Sequence, residues 1–119
     1  SPIRDFIHAS DVARGMIMAV EKEISDPINL GSGTGITIKA IAETIAKLTG
    51  KEVRWDLSKP SGDKKRIMDM TRANSYGFSC QMDLESGIKD TIEWYLRNQD
   101  TGSNKRYNPF TEDALLPKS

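Results

Sequence analysis

The chain of 119 residues contains little of what several functions require: one cysteine, one histidine and no excess of either charge. A single cysteine excludes an intrachain disulfide and a cysteine-based zinc site, and a lone thiol is typical of a reducing compartment such as the cytoplasm. Equal numbers of basic and acidic residues, 17 of each, argue against nucleic-acid binding through phosphate neutralisation. No apolar run approaches the roughly 20 residues that cross a bilayer. The composition therefore indicates a cytoplasmic protein that binds neither nucleic acid nor a membrane.

Length and composition predict a small hydrophobic core. The chain fits one domain or part of one, and its apolar fraction is 37%. Short chains bury a low share of their surface, so a single core has few residues to draw on. These features are compatible with a chain that packs against the rest of a larger protein.

Changes in the period of the apolar residues predict the order of the elements. Strands are predicted at residues 3–8, 28–30 and 53–57, and a brief extended segment at 67–69. Four helices are predicted to follow the N-cap residues Ser10, Thr37, Thr71 and Asp83 and to end near Glu23, Gly50, Gly77 and Gln99. Residues 100–119 are predicted to form a flexible polar tail. The class is therefore α/β, with about three short strands and three to four helices.

The glycine-rich segment Gly31–Gly35 has the context of a dinucleotide-binding fingerprint, because it follows a predicted strand and precedes a predicted helix. Asp56 lies about where a ribose-binding acid would sit. The pattern fails at its sixth position, where the β-branched Ile36 would obstruct the close contact between helix and strand that glycine permits. We interpret the segment as a tight structural turn; a loop lining a substrate cleft is the second interpretation and cofactor binding the third.

Single residues with reactive or aromatic side chains have plain structural interpretations. His8 could act as a general acid or base, but a hydrogen-bonded residue that orders the next helix is preferred. Cys80 could act as a nucleophile, but no histidine lies near it in sequence, so a buried packing role is preferred. Trp55 and Trp94 could stack on a nucleobase, but the spacing of neighbouring apolar residues favours burial. Asp69 is expected to brace the turn that follows it.

Four blocks resemble the extended short-chain dehydrogenase/reductases, a family of NAD(P)-dependent nucleotide-sugar epimerases, dehydratases and reductases. The blocks are 4–13 (RDFIHASDVA), 28–33 (INLGSG) with the helix 37–45 (TIKAIAETI), 56–72 (DLSKPSGDKKRIMDMTR), and 84–99. The last two are similar to the GDP-L-fucose synthase group of that family. The chain departs from that group at Ser61, where the group has aspartate, and at Asp63-Lys64, where the group has Thr-Pro.

The resemblance implies that residues 1–99 form the sugar-nucleotide-binding C-terminal lobe of such an enzyme. The Rossmann domain, which binds NADP or NAD and carries the family's catalytic Ser/Thr-Tyr-Lys set, would then lie upstream. None of the three tyrosines here is followed four residues later by a lysine. We therefore expect no catalytic, cofactor-binding or metal-binding residue in this chain and no activity from it alone. The parent enzyme is expected to be a homodimer that pairs through helices of the Rossmann domain.

Anion recognition is the role that remains for this chain. The resemblance implies that Arg4, at the start of the first strand, binds the substrate, since a guanidinium offers a planar fork to paired phosphate oxygens. It implies the same for Lys59, Lys65 and Arg66 in the basic loop. On composition alone, a solvated lysine-rich loop is the better interpretation of these three residues.

The leading functional hypothesis is the substrate-binding portion of an enzyme that epimerises GDP-4-keto-6-deoxymannose at C3 and C5 and reduces it at C4. A first alternative is another C4 epimerase or a dehydratase that acts on a UDP-, CDP- or dTDP-sugar. A second is a non-catalytic binding or regulatory module with the same scaffold, and a third is an autonomous interaction domain. A Tyr-x-x-x-Lys sequence upstream of this chain would favour the enzyme.

Overall fold

A computed structural model describes residues 1–99, within which three short strands and four helices form a small α/β unit. The elements are β1 (Ile3–Asp5), α1 (Ala9–Glu21), β2 (Gly35–Thr37), α2 (Ile38–Thr49), β3 (Lys65–Arg66), α3 (Thr71–Ser75) and α4 (Leu84–Arg97). The predicted class and number of elements are confirmed. The predicted flexible tail, residues 100–119, lies outside the described residues. Within residues 1–99, every helix is too short or too polar to cross a membrane.

The central strand of the sheet is β1, and the strand order is β2-β1-β3. It pairs antiparallel with β2, which places Arg4 opposite Ile36. It pairs parallel with β3, which places Arg4 opposite Arg66 and Ile3 opposite Lys65. Because successive side chains of a strand point to opposite faces, Arg4 and Arg66 share one face of the sheet and Lys65 points to the other.

Two predicted strands are wrong in position. At residues 28–30 the chain is drawn into the core instead, where Leu30 packs and the N–H of Gly31 donates to the sulfur of Met70 at 3.2 Å. Pairing with β1 therefore begins only after the glycine turn. Residues 53–57 alternate in polarity as a strand does, but they pair with no other strand of residues 1–99, and Trp55 and Leu57 are 48% and 90% exposed. The sheet is completed instead by β3, in a segment predicted to be a loop.

Local capping signals place α2 and α4 correctly. The side chain of Thr37 accepts a hydrogen bond from the N–H of Ala40 at 3.0 Å, and that of Asp83 accepts one from the N–H of Ser86 at 2.9 Å. Gly50 ends α2 in the left-handed conformation with a φ of 68°, which glycine adopts without steric cost. These three residues satisfy backbone groups that the ends of the helices leave free.

The other two predicted N-caps are wrong by one or two positions. The N-cap of α1 is His8, whose Nδ1 accepts a hydrogen bond from the N–H of Ser10 at 3.1 Å. Helix α3 begins at Thr71, and no side chain caps it. Oδ1 of Asp69 binds both the N–H (3.0 Å) and the hydroxyl (2.6 Å) of Thr71, which confirms Asp69 as a brace for the turn.

A small core lies between α1 and α3. Its buried apolar residues are Met70, Ala73 and Phe78, with Ile7, Met18, Leu30 and Cys80 packed against them. Gly15 of α1 is also buried, and a Cβ on it would lie 2.6 Å from Cδ2 of Leu30 and 3.0 Å from Cε2 of Phe78. The absence of a side chain at Gly15 therefore lets Leu30 and Phe78 pack closely against α1.

Considerable apolar surface stays outside the core. Among the described residues, the exposed large apolar side chains of α1 and α4 are Met16, Ile17, Val20, Trp94, Tyr95 and Leu96. The burial predicted for Trp55 and Trp94 is thus wrong within residues 1–99. Helical spacing identifies an apolar face but does not say whether the same chain covers it.

Candidate functional site

The carboxylate of Asp5 fastens the glycine-rich turn to the sheet. Its Oδ1 accepts hydrogen bonds from the N–H (2.7 Å) and the hydroxyl (2.5 Å) of Ser32, and its Oδ2 accepts from the N–H groups of Gly33 (2.8 Å) and Met68 (3.2 Å). Burial raises the pKa of this carboxyl, but the hydrogen bonds outweigh that effect and hold the pKa below its ordinary value of 3.8. Asp5 is therefore ionised at neutral pH and joins β1, the turn and the segment after β3.

These contacts support the interpretation of Gly31–Gly35 as a structural turn. The N–H groups of Ser32 and Gly33 are the kind that would cradle a cofactor phosphate, and both already donate to Asp5. A Cβ on Gly31 would lie 2.6 Å from Cγ of Met68, so this position needs glycine for packing. The turn does not fit a dinucleotide cofactor.

On the opposite face of β1, Arg4 and Arg66 lie side by side, with Asp63 in contact with both. Nη1 of Arg4 donates to the carbonyl oxygens of Ile3 and Asp63, each at 2.8 Å. The carboxylate of Asp63 forms an ion pair with Arg66 in which Nε donates to Oδ2 at 2.5 Å and Nη2 also approaches Oδ2. Two of the four cations predicted to bind substrate are thus adjacent.

The other two predicted cations are not brought into this arrangement. Lys65 lies on β3 but points to the other face of the sheet, because side chains alternate along a strand. Lys59 is exposed in the loop before β3, and no hydrogen bond or ion pair of Lys59 occurs within residues 1–99. Of the four predicted cations, the structure therefore brings only Arg4 and Arg66 next to each other.

An apolar cavity of about 610 Å³ opens beside the same face of the sheet. It lies between the end of β1, the glycine turn, α2 and α4, and its lining includes Phe6, Ile36, Ile41, Ile88 and Ile92. None of the four predicted cations lines it. The cavity is mainly apolar, although Ser32, Thr34 and Asp83 also line it, and it offers none of the predicted cations to a phosphate.

His8 and Cys80 have the structural positions expected of them. Besides capping α1, His8 contacts Asp90 of α4 through Nε2 at 2.9 Å, so it links two helices. Cys80 is partly buried against the core and donates from Sγ to the carbonyl oxygen of Gly31 at 3.3 Å. Burial raises the pKa of this thiol, and the negative charges of Asp11 and Asp5 add to the effect. The nucleophilic thiolate is therefore harder to form. Within residues 1–99, no cluster of histidine, cysteine, aspartate or glutamate could hold a metal ion.

Two acidic residues of this region, Asp5 and Asp63, were not predicted from the sequence as site components. The partners of Asp5 are 27 to 63 residues away in sequence, and the carbonyl of Asp63 contacts Arg4 across 59 residues. Only the replacement of the group's Thr-Pro by Asp63-Lys64 marked Asp63 as unusual.

Comparison with known proteins gives the chain a family. No protein-family model matches it. GDP-L-fucose synthase of Escherichia coli is 37% identical to it over 112 residues, a match that covers 84% of this chain and 35% of that enzyme. The chain thus spans about a third of the length of the curated relatives it matches.

Solved structures agree with the curated relatives. A GDP-6-OMe-4-keto-L-xylo-heptose reductase from Campylobacter jejuni has 30% identity and a TM-score of 0.71, over 82% of this chain and 32% of that one. UDP-glucose 4-epimerase of Thermotoga maritima, solved with UDP-glucose, has 25% identity and a TM-score of 0.69 (83% and 33% covered). WbmF of Bordetella bronchiseptica, in complex with NADH, has 30% identity and a TM-score of 0.67 (83% and 31% covered).

The fold and these matches define the class: a small α/β lobe of the extended short-chain dehydrogenase/reductases, the family to which this chain belongs. Within that family it corresponds to a C-terminal part of members that resemble GDP-L-fucose synthase. The relatives are enzymes that act on nucleotide sugars, and solved members of the family bind NAD-type cofactors.

Proposed function

We propose that this chain is the substrate-binding portion of a cytoplasmic NADPH-dependent enzyme that epimerises GDP-4-keto-6-deoxymannose at C3 and C5 and reduces it at C4. The adjacency of Arg4 and Arg66 on one face of the sheet carries the proposal, since it presents two guanidinium groups to one ligand. Paired forks of this kind suit the oxygens of a pyrophosphate. In this proposal Lys59 reaches the phosphates from its exposed loop, and Lys65 contributes only to the local positive charge.

The cofactor and catalytic groups belong, in this proposal, to a Rossmann domain outside this chain. The described residues do not fit NADPH, because the amides of the glycine turn bind Asp5. The role of this chain is then to bind the nucleoside diphosphate and orient the sugar. The apolar cavity and the exposed apolar residues of α1 and α4 give such a domain a surface to pack on. We expect the complete enzyme to be a homodimer.

The substrate class can be tested by calorimetric titration of the full-length protein with GDP-, UDP-, CDP- and dTDP-sugars. The proposal expects the GDP-sugar to bind with the lowest Kd, and GDP-4-keto-6-deoxymannose to be reduced when NADPH is present. Preference for a UDP-, CDP- or dTDP-sugar would assign the chain to another epimerase or dehydratase. Binding of a sugar nucleotide without turnover of any of them would indicate a non-catalytic module.

Replacing Arg4 with alanine is expected to raise the Kd for GDP about 10- to 100-fold, since hydrogen bonds between charged groups contribute about 1.5–3 kcal/mol. The Kd of Arg4→Lys should lie between those of the wild type and Arg4→Ala, because an ammonium keeps the charge but loses the planar fork. The matched control is Arg97→Ala at the exposed end of α4, which should leave the Kd unchanged. Binding of NADPH, measured by fluorescence, should not change in any of these variants.

An Arg4→Ala protein that is folded by circular dichroism and binds GDP as tightly as the wild type would remove Arg4 from the site. It would also contradict the proposed function, because the adjacent pair of guanidinium groups is the observation that supports it.

A further inference from the structure

The Arg66 guanidinium meets an anion that belongs to the chain itself. Its Nε and Nη2 groups form the edge that would grip two phosphate oxygens, and both point at Oδ2 of Asp63. The backbone carbonyl oxygen of Asp63 also accepts a hydrogen bond from Nη1 of Arg4 at 2.8 Å. One acidic residue therefore contacts both cations of the proposed pyrophosphate site.

The position of Asp63 has a physical reason in the sheet. Arg4 and Arg66 are opposite each other on parallel strands, and neighbouring strands lie about 4.8 Å apart. Like charges at directly opposite positions destabilise a sheet unless an anion lies near them. The Asp63 carboxylate supplies that negative charge when no ligand is bound.

The ion pair is open to displacement. The side chains of Arg66 and Asp63 are 71% and 58% exposed, and exposed ion pairs are weak. Arg4 keeps its Nε and Nη2 groups for a ligand, since neither forms a hydrogen bond within residues 1–99. A pyrophosphate can therefore bind Arg4 first and take the paired edge of Arg66 by displacing a single carboxylate.

We propose that Asp63 is an intramolecular competitor of the substrate's pyrophosphate and lowers the affinity of this site for nucleoside diphosphates. The inference rests on the proposed function and deepens it, because it names the residue that sets the affinity of that site.

The test is a calorimetric titration of the full-length protein with GDP, and in parallel with inorganic pyrophosphate. Asp63→Asn should lower both Kd values about two- to five-fold, the range that the strength of an exposed ion pair allows. The same substitution in an Arg66→Ala background should give no gain, because Asp63 then has no guanidinium to occupy. Glu21→Gln, at the exposed end of α1, makes the same change in net charge and should leave both Kd values unchanged.

Three results would contradict the inference. An Asp63→Asn protein that binds GDP as wild type does, or more weakly, while Arg4→Ala still weakens binding, would overturn the competition and leave the proposed function standing. An equal gain in Glu21→Gln, or in the Arg66→Ala background, would show that net charge alone is responsible. If Arg4→Ala has no effect on GDP binding, the proposed function fails, and the competition at this site fails with it.

Discussion

Replacing Phe78 with alanine is expected to lower the free energy of unfolding by about 3–5 kcal/mol, as large-to-small changes at buried aromatic positions do. Phe78 is 2% exposed and is the largest fully buried side chain of the described residues. Its ring packs near Gly15 and lies 5.1 Å from the guanidinium carbon of Arg14. The small core leaves few neighbours that could move to fill the space. Urea unfolding followed by circular dichroism measures the change.

Two matched variants define what the Phe78 result means. Phe78→Leu keeps most of the apolar volume and should cost less than half of the alanine change. Phe6→Ala removes an aromatic ring from an exposed position on the cavity wall and should cost about 1 kcal/mol or less. A loss below about 1 kcal/mol in Phe78→Ala would contradict the central place given to this residue in the core.

Replacing Asp11 with alanine is expected to lower the free energy of unfolding by about 2–4 kcal/mol, because the change leaves the part-buried N–H groups of Gln81 and Met82 without their acceptor. Asp11 is 2% exposed. Its Oδ1 accepts hydrogen bonds from Nη2 of Arg14 (3.0 Å) and the N–H of Gln81 (3.1 Å), and its Oδ2 accepts from the N–H of Met82 (3.1 Å). The carboxylate therefore ties α1 to the segment that leads into α4. Asp26→Asn, in an exposed turn, is the control and should cost less than about 0.5 kcal/mol.

The pH dependence of stability offers a second measurement on Asp11. Burial raises the pKa of this carboxyl, but the hydrogen bonds from Gln81, Arg14 and Met82 outweigh that effect, so the pKa lies below its ordinary 3.8. A carboxyl with a lowered folded-state pKa stabilises the protein above the unfolded-state pKa, and the stabilisation is lost as pH falls through the folded-state pKa. Acid below pH 3.8 should therefore destabilise wild type more than Asp11→Ala. Equal acid sensitivity of the two proteins would contradict this role.

The helices could be predicted because their signals are local. Thr37, Asp83 and Gly50 lie within a few residues of the backbone groups they satisfy, so the sequence alone identifies them. The strands could not be predicted in the same way, because a strand of two or three residues exists only where a partner strand is available. Residues 53–57 have the right alternation and no partner within residues 1–99, whereas Lys65–Arg66 lack the pattern and pair with β1.

In the candidate site, too, local features could be predicted from the sequence and contacts between distant residues could not. The residue types of Arg4 and Arg66 suggested anion binding, and their positions in the family's motifs suggested which anion. Their adjacency depends on the parallel pairing of β1 and β3, which no local pattern reports. The same is true of Asp63, whose contact with Arg4 spans 59 residues of sequence. The side of the sheet to which Lys65 points also follows from that pairing.

The short strand β1 has a consequence for how the chain selects its native alignment. Arg4 and Asp5 are consecutive, so the base faces the Arg66 side and the acid faces the glycine turn. A slip of one residue would exchange them, and the guanidinium of Arg4 would then meet the amide hydrogens that now donate to Asp5. That encounter is repulsive, and it leaves the N–H groups of Ser32, Gly33 and Met68 without their acceptor. The hydrogen bonds of one carboxylate therefore fix the alignment of a strand that is too short for an apolar pattern to do so.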